Sequence, residues 1–119
     1  MVGRIRPNAI EVKRGDNFTI NLQLKGRNGY INLTGAGLKM QVRTRDEGEV
    51  VLTKQGIIDD AARGKAYLSL EPKDTKGLQA GGDYVTDIQM IFGNGEVHTI
   101  FPANLSTRAA FIVSPDVTE

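Results

Sequence analysis

Acid–base or nucleophilic chemistry has few footholds in this chain. His98 is the only histidine; beside Val97 and Ile100 on a predicted strand, it reads as a surface or interface side chain, because a general base needs a reacting partner within hydrogen-bond reach. Ser69, Ser106 and Ser114 lie in no Gly-x-Ser-x-Gly elbow or comparable nucleophile setting. The sequence contains no cysteine, which removes thiolate catalysis, zinc–thiolate clusters and a disulfide framework together. Asp59-Asp60 lacks the spaced oxygen ligands and the glycine of a calcium loop, so it reads as a solvated turn. Gly35-Ala36-Gly37 and Gly93-Asn94-Gly95 enter no predicted helix, and phosphate loops depend on the helix N-terminus that would follow. The expectation is a non-enzyme with no catalytic residue, no metal and no cofactor.

Recognition motifs need the same weighing. Arg14-Gly15-Asp16 spells the tripeptide that adhesion ligands present to integrins. It also joins two alternating segments, where Gly15 supplies freedom at φ and Asp16 a side chain able to bond nearby backbone N–H groups, so it reads as a turn. Asn17-Phe18-Thr19, Asn32-Leu33-Thr34 and Asn104-Leu105-Ser106 match the glycosylation pattern, but no signal peptide accompanies them and they read as chance composition. The early Lys and Arg residues are not interleaved with aromatic stacking platforms, which sets nucleic acid aside as a partner.

The elements that carry these residues follow from periodicity. Apolar residues recur at every second position in short segments separated by Gly, Asn, Asp and Pro, the half-buried strand pattern, and no segment shows a sustained helical stripe. Strands are predicted over 4–12, interrupted at Pro7, and over 17–25, with Phe18, Ile20, Leu22 and Leu24 on one face. Residues 25–29 read as a loop. The strand at 38–45 points Leu38, Met40 and Val42 inward and Lys39, Gln41, Arg43 and Arg45 outward. Asp46-Glu47-Gly48 turns the chain into 49–54, and 65–71 alternates again through Ala66, Leu68 and Leu70. Pro72-Lys73-Asp74-Thr75 suits one short helical turn before a long strand over 83–92. Asn94-Gly95 suits the positive φ angles of a tight hairpin into 96–101, and 108–114 forms a last strand.

About seven or eight strands imply an all-β immunoglobulin-like antiparallel β-sandwich, one domain over 1–119, held by packing without a disulfide. A chain of this length buries roughly two-thirds of the surface it exposes unfolded. Tyr84 sits where such folds place a tyrosine whose hydroxyl bonds backbone a few residues upstream; two residues on, where antibody domains have cysteine, stands Thr86, and there is no tryptophan. The net charge of +1 is unevenly spread. Residues 1–45 hold nine Lys and Arg against two Asp and Glu, a net of +7, and residues 46–119 hold six against twelve, a net of −6. Sheets that interleave early and late strands would mix these charges; a basic face or an opposite-charge contact between subunits would keep them apart. No apolar run approaches the roughly 20 residues of a membrane helix, so no membrane partner is expected.

Five stretches in order carry a resemblance: Ile10-Glu11-Val12-Lys13-Arg14-Gly15-Asp16-Asn17-Phe18-Thr19-Ile20, Ile31-Asn32-Leu33-Thr34-Gly35-Ala36, Met40-Gln41-Val42-Arg43, Gly81-Gly82-Asp83-Tyr84-Val85-Thr86-Asp87-Ile88-Gln89 and Val113-Ser114-Pro115-Asp116-Val117-Thr118. Together they resemble the immunoglobulin-like N-terminal domain of tailed-phage baseplate upper proteins, over nearly the whole chain. The resemblance implies a virion structural or attachment protein of tail, baseplate or neck, made in the cytoplasm of a bacterial host, with other virion proteins such as a tail or baseplate hub as partners and no catalytic residues to transfer. The chain stops at Glu119 without a helical stalk or receptor-binding head, which leaves a free-standing component or a segment of a longer protein. A host-surface glycan or receptor-binding module, or a capsid decoration protein, is the alternative. Interface candidates on alternation are Arg43, Arg45, Asp87, Gln89 and Ile91, with Arg27 and Tyr30 on an adjacent loop. Structural roles fall to Tyr84, Gly15, Asp16, Asn94 and Gly95. An uncapped edge strand at 4–12 or 108–114 would allow a homo-oligomer.

Overall fold

Alternation decides which side chains can share a core, and the pairing of the strands decides where that core lies. The computed structural model describes residues 3–6, 9–45, 48–102 and 109–114. In chain order the strands are β1 (Gly3–Arg6), β2 (Ala9–Lys13), β3 (Phe18–Gln23), β4 (Lys25–Gly26), β5 (Gly29–Tyr30), β6 (Gly37–Thr44), β7 (Val50–Gln55) and β8 (Ile57–Asp60). A single 3-10 turn (Ala61–Arg63) leads to β9 (Lys65–Leu70), a short helix α1 (Pro72–Lys76), β10 (Tyr84–Ile91), β11 (Val97–Phe101) and β12 (Ala109–Ser114). Seven strands form one sheet in the order β1-β2-β12-β10-β6-β7, with β11 also paired to β10; β3-β9-β8 form a three-stranded sheet, and β4-β5 a small hairpin. The expected Pro7 break, the turn residues Asp46 and Glu47, Arg108 at the start of the last strand, and the Pro115–Thr118 and Asn104–Ser106 stretches lie outside the described residues.

The sandwich is immunoglobulin-like. Its core takes Ile10 and Val12 from β2, Ile20 from β3, Leu38, Met40 and Val42 from β6, Leu68 and Leu70 from β9, Ile88 and Met90 from β10, and Phe111 and Val113 from β12. These are the alternate positions of each strand, as a pleat requires. The two sheets are separate hydrogen-bonded units sharing this apolar layer. Burial of each such side chain contributes about 1.5–3 kcal/mol.

Three features depart from the sequence reading. First, β12 pairs β2 in parallel, Ala110 against Ala9 through Ser114 against Lys13, so the pairing is not antiparallel throughout. Because β12 lies between β2 and β10, the stretch 109–114 is not an edge; β1 is. Second, residues 25–29 are not wholly loop, since Lys25 pairs Tyr30 and Gly26 pairs Gly29. Third, Asp59 and Asp60 are not a solvated turn but the end of β8, which the alternation did not reveal because it is only four residues long.

That third difference has a cause at Gly56. Gly56 N–H continues the large sheet's ladder onto the Leu38 carbonyl at 2.8 Å, and the next residue, Ile57, pairs Tyr67 in the small sheet. The chain therefore changes sheets at one residue. A Cβ there would sit 2.5 Å from Leu38 Cδ2 and 2.8 Å from the Tyr67 carbonyl, so only glycine lets the two sheets approach this closely.

Candidate interaction face

Inward anchoring of β6 and β10 turns their remaining side chains out. The strands pair over eight residues, from Tyr84 against Thr44 to Ile91 against Gly37. Two hydrogen bonds lock β10 beyond the apolar packing. Tyr84 is 9% exposed, and its hydroxyl accepts the Gln79 N–H at 3.0 Å, the tyrosine corner that the sequence placed there. Thr86, at the antibody cysteine position, is buried and donates its hydroxyl to the Gln41 carbonyl at 2.7 Å. A polar side chain is tolerated there because its one donor is satisfied.

The outer face of the large sheet is thus rigid and mixed in character. Arg43 lies opposite Val85, Asp87 opposite Gln41, and Gln89 opposite Lys39. Across β10, Val85 faces Ala110 on β12 and Ile91 faces Val97 on β11. Val97 is 54% exposed. The Arg43 guanidinium donates to the Gly48 carbonyl at 3.1 Å and to Gln41 Oε1 at 2.7 Å. Among the described residues these acceptors of its cation are neutral. Arg45 differs: its Nε meets Asp83 Oδ1 at 2.8 Å, and its N–H bonds the Asp83 carbonyl at 3.1 Å. It clamps the end of β6 to the start of β10. The sequence paired Arg43 and Arg45 as equals because both point outward by parity; Asp83 is far away in sequence and gave no signal.

Of the expected interface residues, Arg43, Asp87, Gln89 and Ile91 come together on this face, with Arg45 at its end. Arg27 and Tyr30 do not, since they belong to the separate β4-β5 hairpin. There the Lys25 ammonium sits 5.2 Å from the centre of the Tyr30 ring, a cation–π contact on an exposed tip. Val85, Ala110 and Ile112, all half-buried, also share the large sheet's outer face. The signal that could have found them is the same alternation, applied to the outward row of β10 and β12.

The turn residues resolve as follows. Gly15 has φ +85°, and its N–H bonds the buried Thr75 hydroxyl at 2.8 Å. Arg14 donates from Nε and Nη2 to the Lys76 carbonyl at 3.3 and 3.1 Å, so the tripeptide is strapped down onto α1 rather than projecting. The expected Asp16 side-chain bond is not what holds this turn: Asp16 contributes its backbone N–H, to the Lys13 carbonyl at 3.1 Å. Asn94 and Gly95 were expected to share positive φ. Only Gly95 has it, at +91°; the loop is one residue longer, with Phe92 N–H bonding the Glu96 carbonyl at 2.8 Å and Asn94 Oδ1 accepting the Glu96 N–H at 2.9 Å. The extra residue lets an ordinary turn end in one left-handed glycine.

Other polar groups meet partners close in sequence or across β7 and α1. His98 Nε2 lies 3.1 Å from Glu96 Oε1, and its ring stands edge-on to Phe92 with centroids 5.3 Å apart. Lys54 reaches Asp74 at 2.9 Å and Glu71 at 3.3 Å. Hydrogen bonding to Asp74 raises the Lys54 pKa, outweighing the opposing effect of burial. Next to it, Val51, Leu52, Lys73, Gly77, Leu78 and Tyr84 help line an open groove of about 500 Å³ between β7 and α1. Among the described residues no group of three His, Asp or Glu side chains is placed to hold a metal ion, and no helix is long and apolar enough to cross a membrane.

Comparison with known proteins adds little beyond this geometry. No family model matches the chain, and no curated protein matches it. Among solved structures, it is similar to a chain from a study of multimeric cell-adhesive interactions of VGSC beta subunits, at 9% identity and a TM-score of 0.41, covering 97% of each chain. A likeness at that level carries no functional argument, and the immunoglobulin-like assignment rests on the strand order, the tyrosine corner and the shared core described above.

Proposed function

We propose that this chain is a virion structural protein, a tail, baseplate or neck component that works by protein–protein assembly and performs no catalysis. The observation that carries the reading is the outer face of the large sheet, where a mixed apolar and charged surface is built on central strands paired on both sides. Such a face is preformed, so docking costs little ordering. Its centre offers the combination common at interface cores, apolar side chains with an arginine whose hydrogen-bond acceptors among the described residues are neutral. The ordered resemblance to the phage baseplate domain supplies the assembly: the partners would be other virion proteins, and the site of action the particle built in a bacterial host. The glycan-binding alternative needs an open aromatic platform. Tyr30 is the exposed aromatic, and Lys25 stands over its ring.

The test is to exchange charges without changing their sum. Particles assembled with Arg43→Glu and Asp87→Lys together should incorporate this protein about tenfold less or worse, while the purified variant melts close to the parent. Normal incorporation would remove this face from the interface, and binding on a glycan array would favour the alternative.

A further inference from the structure

The small sheet has an open edge at β3, and its free hydrogen-bonding groups can be assigned. β3 and β9 pair in unbroken register from Phe18 against Leu70 to Gln23 against Lys65. Leu24 N–H bonds the Gly64 carbonyl at 2.9 Å, which continues that register by one hydrogen-bonded pair. Hydrogen-bonded pairs alternate in an antiparallel ladder, so Leu22, Ile20 and Phe18 direct their backbone groups to β9. Thr19, Asn21 and Gln23 direct theirs to the open side, and among the described residues no strand lies there.

In the two packed sheets the other outer strands carry charge or a register shift, features that discourage pairing. β1 contains Arg4 and Arg6. β7 has inward-facing Lys54 and a register shift against β6. β8 has Asp59, Asp60 and a shift against β9. β11 has His98 and a shift against β10. β3 reads Phe-Thr-Ile-Asn-Leu-Gln, with no charge, no proline and no shift.

We propose that β3 is a self-pairing edge, by which two copies of this chain join β3 to β3 antiparallel about a two-fold axis. The order becomes β8-β9-β3-β3-β9-β8, and the outermost strands are then the acid-bearing β8 edges. An isologous contact of this kind closes on itself and leaves no unguarded edge in the joined sheet. Parity restricts the register, since residues directly opposite must share a face. Centring the axis on Asn21 places Thr19 opposite the partner's Gln23 and Ile20 opposite the partner's Leu22. That register uses the outward groups of Thr19, Asn21 and Gln23 on both copies, in about six hydrogen bonds. It also brings Asp16, just before β3, to the end where the partner's Lys25 and Arg27 leave it, so charges at the two ends are complementary. The pairing is independent of what docks on the large sheet.

Light scattering on the purified chain should report twice the 12.9 kDa monomer. Asn21→Lys, which sets like charges against each other on the axis, should return it to monomer mass with unchanged circular dichroism. Asn21→Cys should crosslink under mild oxidation, because opposed Cα atoms about 5.5 Å apart fall inside the disulfide range. A parent chain that stays monomeric at its highest soluble concentration overturns the proposal. So does a dimer that survives Asn21→Lys or fails to crosslink through Asn21→Cys.

Discussion

The edges β7 and β3 close the two sheets in opposite ways. β7 ends the large sheet with a lysine on its inward row, opposite fully buried Met40, and that lysine is tied to Asp74 and Glu71 on the α1 side. β3 ends the small sheet with threonine, asparagine and glutamine outside and Phe18, Ile20 and Leu22 inside. A strand laid beside β7 would meet an ammonium that must stay solvated or paired, whereas one laid beside β3 meets only unmatched backbone. Open edges of similar length thus differ in availability through one side chain and one register shift. The same contrast extends inward, since the large sheet holds its core between strands paired on both sides and the small sheet packs Ile20 from an outer strand.

The largest expected effect probes that inner contrast. Phe111→Ala, which empties a fully buried site on a strand paired on both sides, should cost about 3–5 kcal/mol in chemical denaturation. Ile20→Ala on the outer strand should cost less, about 2 kcal/mol, because the edge can settle into the space; equal losses would mean that the two sheets are equally rigid. Gly56→Ala should come next, at about 1–3 kcal/mol, since its methyl group meets Leu38 and the Tyr67 carbonyl where the chain changes sheets. Tyr84→Phe should lower stability by about 1 kcal/mol, leaving the ring packed and the Gln79 N–H without its acceptor.

Lys54→Met sharpens the edge comparison directly. Its pKa is raised above the ordinary 10.5, so the stabilisation from its pairing is fully present below 10.5 and disappears as pH rises through the folded value. The melting difference between parent and variant should therefore hold steady through neutral pH and shrink in strong alkali. The variant should also self-associate more readily, because its β7 edge would keep only its register shift as a guard. Arg45→Ala should have the smallest effect, about 0.2–1 kcal/mol, as both partners of its ion pair with Asp83 are substantially exposed.

Much of the fold was legible from particular residues. Leu38, Met40 and Val42 were read inward, and all three are buried. Tyr84 was placed at a tyrosine corner, and its hydroxyl bonds backbone five residues upstream. The early basic strand β6 does lie between later strands, β10 and β7, so early and late segments interleave in the large sheet. Of the candidate face, Arg43, Asp87, Gln89 and Ile91 were found by parity. Arg27 and Tyr30, expected on an adjacent loop, belong instead to the separate β4-β5 hairpin, which parity along β6 and β10 could not place.

Local pattern determined which face of each strand is apolar, because a pleat alternates with period two and any register that buried the polar row would expose the apolar one. It also determined that the tripeptide at Arg14-Gly15-Asp16 turns the chain, since Gly15 accepts a positive φ. Pairing over long sequence separation decided the rest: the parallel contact of β2 with β12, the change of sheet at Gly56, the capture of Arg14 by α1, the neutralisation of Arg45 by Asp83, and which edges remain open. Those depend on which strands become neighbours, and neighbours are chosen by the packing of the whole core rather than by the period of any one segment.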